Sequence, residues 1–131
     1  MVKQTFLNLE TQNVSLARSF FTHIGFNINE VYSDDSGICV VINDTTFLMV
    51  MNKEKFRGFT LSETPNSFNQ TEVIISFQLE SKLEVDTLLN KVKEAKGGEF
   101  GQATDNDFMY YRAFRDLDGH RFEVFFFKPL S

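Results

Sequence analysis

The sequence predicts an α+β protein built from two βαβββ modules, and three observations carry that prediction. The same order of signals occurs twice along the 131 residues: an alternating run, an amphipathic helical run, then three further alternating runs. Each helical run is followed by glycine, at Gly25 and at Gly97-Gly98, where a helix can end. The strand-like runs are parted by Asp, Asn, Ser and Gly, the residues of tight turns. Identity between the two halves is slight, so the duplication rests on element order.

In the first module, about residues 4–51, the alternation over Thr5 to Leu9 predicts a strand. Val14, Ala17, Phe21 and Ile24 recur at helical spacing up to Gly25. Strands are predicted over Phe26 to Tyr32, Ile38 to Asn43 and Thr46 to Met51. The second module, about residues 72–128, opens with a predicted strand over Glu72 to Leu79. Ser81-Lys82-Leu83-Glu84 is a capping box, and Val85, Leu88, Leu89, Val92 and Ala95 form the apolar stripe of the helix that follows. A left-handed residue within Gly97-Gly98 is predicted to end it. Strands over Glu99 to Ala103, Phe108 to Arg115 and Arg121 to Phe127 complete the module.

The connecting segment, residues 52–71, is long for a plain link. It reads either as a lid or partner contact, or as a linker with one helical turn that packs Phe56 and Phe59 on a sheet edge.

Length and composition fit one domain. The chain has no apolar run of membrane-spanning length, and its first residues are too polar for a signal sequence, so a cytoplasmic protein without a membrane partner is expected. Thirteen basic against 18 acidic residues, a net charge of −5, disfavour nucleic acid. A single cysteine, Cys39, cannot form an intramolecular disulfide and reads as core filling. Sixteen phenylalanines with no tryptophan imply either an aromatic core or a phenylalanine-lined cavity.

Asp116-Leu117-Asp118-Gly119 carries hairpin chemistry: aspartates that bond their own backbone, then glycine for positive φ. A four-residue loop sets Arg115 opposite His120, Phe114 opposite Arg121 and Arg112 opposite Glu123. Glu123 then shares a strand face with Arg121, Phe125 and Phe127. A carboxylate in a phenylalanine row is paired, metal-bound, protonated or wet, because an isolated buried charge costs several kcal/mol. Pairing with Arg112 is the favoured expectation, and a metal ligand or general base is the other. His23, near a helix end, favours the helix dipole when protonated, and His120 reads as turn-stabilising.

The paired modules, Ser19-Phe20-Phe21 up to Ile24-Gly25-Phe26, and the closing stretch Phe114-Arg115-Asp116-Leu117-Asp118-Gly119-His120-Arg121-Phe122-Glu123-Val124 resemble the vicinal oxygen chelate superfamily. That superfamily includes glyoxalase I, bleomycin-resistance proteins, fosfomycin-resistance enzymes and extradiol dioxygenases. The resemblance spans Phe6 to Phe127 and implies a cup of two curved mixed sheets, often within a homodimer. In metal-dependent members up to four ligands hold a divalent ion. Carried over by position, the last corresponds to Glu123, while the others fall near Phe6, at Met49 or Met51, and near Ile74. Phenyl, thioether and alkyl groups do not supply the donors such an ion needs. Asn8, Glu10 and Glu72 are the nearby donors.

No cofactor is therefore expected, and a divalent metal is disfavoured. The remaining expectation is a pocket lined by Phe6, Asn8, Phe47, Met49, Met51, Ile74, Tyr110, Arg112, Glu123, Phe125 and Phe127, with Arg112 and Tyr110 orienting a small-molecule ligand. A protein of the bleomycin-resistance kind that binds an aromatic or amphipathic molecule fits this best. A metal-dependent lyase or dioxygenase resembling glyoxalase I and a non-catalytic dimeric interaction domain are the alternatives.

Overall fold

The structure, a computed structural model, describes residues 1–130 and is α+β, with three α-helices and two mixed sheets. In chain order the elements are β1 (Thr5–Thr11), α1 (Val14–His23), β2 (Asn27–Ile28), β3 (Gly37–Asn43), β4 (Thr46–Asn52), α2 (Lys53–Thr60), β5 (Ile74–Gln78), α3 (Lys82–Glu94), β6 (Gly98–Glu99), β7 (Thr104–Asp105), β8 (Met109–Arg115) and β9 (Arg121–Phe127). Two compact units divide the chain within the connecting segment, the first being Met1–Pro65 and the second starting at Asn66.

The first unit holds a sheet in the order β1-β4-β3-β2, with β1 parallel to β4 and the other pairs antiparallel. Asn13 starts α1, its Oδ1 accepting the Leu16 amide at 3.0 Å. The helix packs on β3 and β4, burying Ala17, Phe20 and Phe21 against Leu9, Ile38, Val40, Leu48 and Val50. Strand alternation turns Phe6, Asn8, Glu10, Cys39, Phe47, Met49 and Met51 to the other face. The predicted strand Phe26 to Tyr32 is cut to two residues, because Asn29 Oδ1 captures the Val31 amide and starts a 3-10 turn over Glu30–Tyr32.

The connecting segment begins with a true helix. Asn52 caps α2 through the Lys55 amide, and Leu61, at φ 55°, ends it. Thr64 Oγ1 accepts from Arg57 and donates to Glu10 Oε1 at 2.8 Å, which fastens the segment to β1. Phe56 is half-buried and Phe59 is 70% exposed.

The second unit holds the sheet β5-β9-β8-β6, with β7 also on β8 and β5 parallel to β9. The strand predicted over Glu99 to Ala103 becomes two short pieces, with Gly101 at φ +69° between them. Ser81 Oγ accepts the Glu84 amide as the capping box requires, but the Glu84 carboxylate accepts from the Glu80 amide. The left-handed residue that ends α3 is Lys96, φ 73°, one place before the glycines, and Gly97 N–H closes on Val92 O. Val85, Leu89 and Val92 of α3 are fully buried, as are Phe114, Phe122 and Val124 of the sheet it packs on. The rings of Phe114 and Phe122 stack at 5.1 Å, and each such buried phenylalanine is worth about 2 to 3 kcal/mol.

Candidate functional site

The hairpin between β8 and β9 decides what each face of the second sheet carries. Asp116 Oδ1 accepts the amides of both Asp118 and His120, at 3.0 and 2.9 Å. His120 therefore belongs to the loop, and the strand register moves by one residue from the four-residue expectation. Arg115 faces Arg121, Phe114 faces Phe122, Ala113 faces Glu123 and Arg112 faces Val124. A one-residue slip exchanges the faces of a strand relative to its partner. Gly119 sits at φ +87°, and a Cβ there would come within 2.8 Å of Phe68, so this turn admits only glycine.

Arg112 consequently does not pair with Glu123. It lies on the face that α3 covers, where it bonds Glu99 at 2.7 and 2.8 Å and Asp86 at 2.9 Å. Tyr110 lies on the same face and donates to Asp86 at 2.6 Å. The Arg112 hydrogen bonds hold Glu99 down at about 2, with Lys93 at 3.1 Å assisting. Asp86 is lowered first by the Tyr110 hydroxyl and then by Arg112, and the Tyr110 phenol is raised by burial and by Asp86. Both side chains expected to orient a ligand are thus engaged beneath the helix.

Glu123 is on the opposite face, where Ser76 Oγ donates to its Oε1 at 3.0 Å across the parallel β5-β9 pair. Ile74, Phe125 and Phe127 share that face with Arg121, as strand alternation in β9 requires, together with Tyr111 and Arg115, which the sequence reading did not place there. The two arginines lie either side of an acidic turn in the sequence, a symmetry that shows their facing only once the loop length is known. Both guanidinium groups stack on Phe100, at 4.6 Å for Arg115 and 3.7 Å for Arg121.

In the first unit, Phe6, Asn8, Phe47, Met49 and Met51 share the sheet face away from α1. Phe6 and Phe47 are cross-strand partners with rings stacked at 5.0 Å. A cleft of about 180 Å³ in this unit is lined by Asn8, Met49 and Met51 with Tyr32, Lys55 and Phe59, and not by Phe6 or Phe47. Asn8 and Lys55 are its polar groups, and the remainder of that set is aromatic or thioether. Sequence reasoning did not place Tyr32 and Lys55 in a pocket and took Phe59 only as a residue packing on a sheet edge; the 3-10 turn and α2 bring all three to the cleft.

Residues at the metal-ligand positions of the resembling superfamily do not fit an ion. Glu123 faces Ser76 and Ala113, and the strand positions of the first unit carry Phe6, Met49 and Met51. Among the described residues, one set of three donors comes within 4.8 Å of one another: Asp116, Asp118 and His120 of the hairpin, without Glu123. Burial pushes the Asp116 carboxyl up to about 6. Cys39 is buried, which raises its thiol. Among the described residues no helix is long and apolar enough to cross a membrane.

No protein-family model matches the chain, and the curated proteins contain no match to it. Solved structures do match. A hypothetical protein from S. aureus is 28% identical, with 96% of this chain and 94% of that one covered, at a TM-score of 0.82. A glyoxalase/bleomycin resistance protein/dioxygenase family enzyme from Burkholderia phytofirmans PsJN is 15% identical, covering 92% and 95%, at a TM-score of 0.78. A fosfomycin resistance protein from Mesorhizobium Loti is 10% identical, covering 96% and 91%, at a TM-score of 0.67. Sheet order, helix placement and these likenesses agree: the chain has the fold of the vicinal oxygen chelate superfamily, the one shared by glyoxalase and bleomycin-resistance proteins.

Proposed function

We propose that the protein binds a small aromatic or amphipathic molecule against the phenylalanine- and methionine-rich sheet face of the first unit, with no complete catalytic metal centre at Glu123. The cleft lined by Met49, Met51 and Phe59 carries this reading: apolar walls with a few polar groups, Asn8 and Lys55, make a small-molecule site. Methionine repacks around irregular shapes, which suits an aromatic guest. The donor set around Glu123 supports the metal-free part. A homodimer belongs to the same proposal, supported by the exposed rings of Phe6, Phe108 and Phe127. A cytoplasmic location accords with the lone, unpaired Cys39.

Calorimetric titration of the chelator-treated protein with a neutral aromatic probe, naphthalene-2-carboxamide, tests the reading. Saturable binding is expected, weakened at least tenfold in Met49→Ser or Phe59→Ser. Absence of saturable binding, or binding that both variants leave intact, overturns it.

A further inference from the structure

The cleft of the first unit is charged with one sign only. Lys55 lines it, while none of the chain's 18 acidic residues does, although these outnumber the 13 basic ones. Lys55 stands in the first turn of α2, where the Asn52 cap accepts its amide at 2.9 Å. The packing of α2 on β1 and β4 brings it to the cleft that Asn8, Met49 and Met51 line.

No carboxylate among the described residues forms an ion pair with Lys55. Its Nζ makes a long hydrogen bond, 3.4 Å, to Ser36 Oγ. Ser36 is itself committed to Asp34, donating its amide and its hydroxyl to Oδ1 at 2.8 and 2.6 Å. Asp34 is fully exposed, so its pull on the cation across the serine is screened by water. An ammonium carries three donors, which leaves Lys55 with donors to spare. Asn8 adds a carboxamide that has no hydrogen-bond partner among the described residues. Tyr32 and Phe59, each 70% exposed, join Met49 and Met51 in supplying flat and polarizable apolar surface. A net charge of −5 opposes anions at long range, so any preference for one must come from a cation at close quarters.

We propose that the cleft takes an aromatic carboxylate, its ring against Met49, Met51, Tyr32 and Phe59 and its carboxylate held by Lys55 together with the Asn8 amide. All six residues belong to the first unit. A charge-assisted bond is stronger than a neutral one, and a carboxamide of the same shape can form only the weaker kind with its oxygen. An anionic guest presupposes the small-molecule reading above and adds the ligand's charge to it.

Calorimetric titration of the full chain at neutral pH, with naphthalene-2-carboxylate and with naphthalene-2-carboxamide, tests the charge. The carboxylate is expected to bind about fivefold tighter, the scale of one partly exposed charge-assisted contact. Lys55→Gln and Lys55→Met are each expected to bring the ratio of the two affinities close to one, and Lys55→Arg, which keeps the cation, to preserve it. Lys53→Gln removes an exposed charge from the same helical turn, outside the cleft lining, and is expected to keep the native ratio. Equal affinities in the native chain, a preference that survives Lys55→Gln, or one that Lys53→Gln abolishes equally, overturns the carboxylate assignment. Saturable carboxamide binding that Met49→Ser weakens leaves the small-molecule reading standing in each of those cases. Loss of both probes in Lys55→Gln and Lys55→Met assigns Lys55 to packing and overturns the carboxylate assignment as well. Absence of saturable binding of either probe to the native chain overturns both readings.

Discussion

Arg112 reaches Glu99 at 2.7 Å and Asp86 at 2.9 Å, so one guanidinium ties β8 to β6 and to α3. Its side chain is only 13% exposed, against 22% for Glu99 and 36% for Asp86. Removing the cation leaves Glu99 only Lys93 and Asp86 only the Tyr110 hydroxyl among these partners, for two carboxylates that burial has partly stripped of water.

Arg112→Ala is therefore expected to destabilise the protein by about 2 kcal/mol, less than a fully buried pair because both acids keep some solvent. Urea unfolding measures it. Glu99→Gln in the Arg112→Ala background should then cost little more, while Glu123→Gln in that background should add its effect independently. Coupling between Arg112 and Glu123 instead would return the two to one face.

Glu99 gives the stability a defined acid limb. Its folded value, about 2, lies below the ordinary 4.5, chiefly through the Arg112 hydrogen bonds. The folded state thus binds fewer protons in that interval, and the contribution is fully present above pH 4.5 and lost as pH falls toward 2. Unfolding free energy measured from pH 6 down to 2.5 is expected to fall less steeply in Glu99→Gln than in the native chain.

Gly119 and Gly101 both have positive φ, +87° and +69°, but only Gly119 has a neighbour, Phe68, within 2.8 Å of an added Cβ. Gly119→Ala is expected to cost about 3 kcal/mol and Gly101→Ala about 1 kcal/mol, as thermal or urea unfolding will register. Equal costs would mean that Phe68 yields freely.

Nickel, zinc or manganese offered to the protein should not be captured through Glu123, whose facing positions are Ser76 and Ala113. Metal content after dialysis is expected to be the same in Glu123→Gln as in the native chain. Any ion retained should depend on His120 and Asp118 of the hairpin, the donors that approach one another. A stoichiometric ion lost in Glu123→Gln would reinstate the metal-dependent reading.

Much of the fold is legible in the sequence because its signals are local. Gly25 and the Ser81 cap act within one turn of the helices they bound, and alternation marks the strands that become β1, β3, β4, β8 and β9. The first-unit face that holds Phe6, Phe47 and Met49 follows from the same alternation. What alternation cannot supply is register across a turn. Whether His120 closes the loop or opens the strand depends on two amides bonding one Asp116 oxygen, and on that single residue turned the placement of Tyr110 and Arg112. The Arg115–Arg121 pair was hidden by the same uncertainty. Tyr32 and Lys55 were hidden for another reason, since they reach the cleft only through the 3-10 turn and α2, whose positions depend on packing distant in sequence.

The most direct measurement is the dissociation constant of naphthalene-2-carboxamide before and after exhaustive chelation, repeated with Glu123→Gln. Agreement within about twofold across all the samples is the predicted result, a spread of less than 0.5 kcal/mol. A loss of tenfold or more on chelation, reversed by returning a divalent ion and absent in Glu123→Gln, would contradict the account.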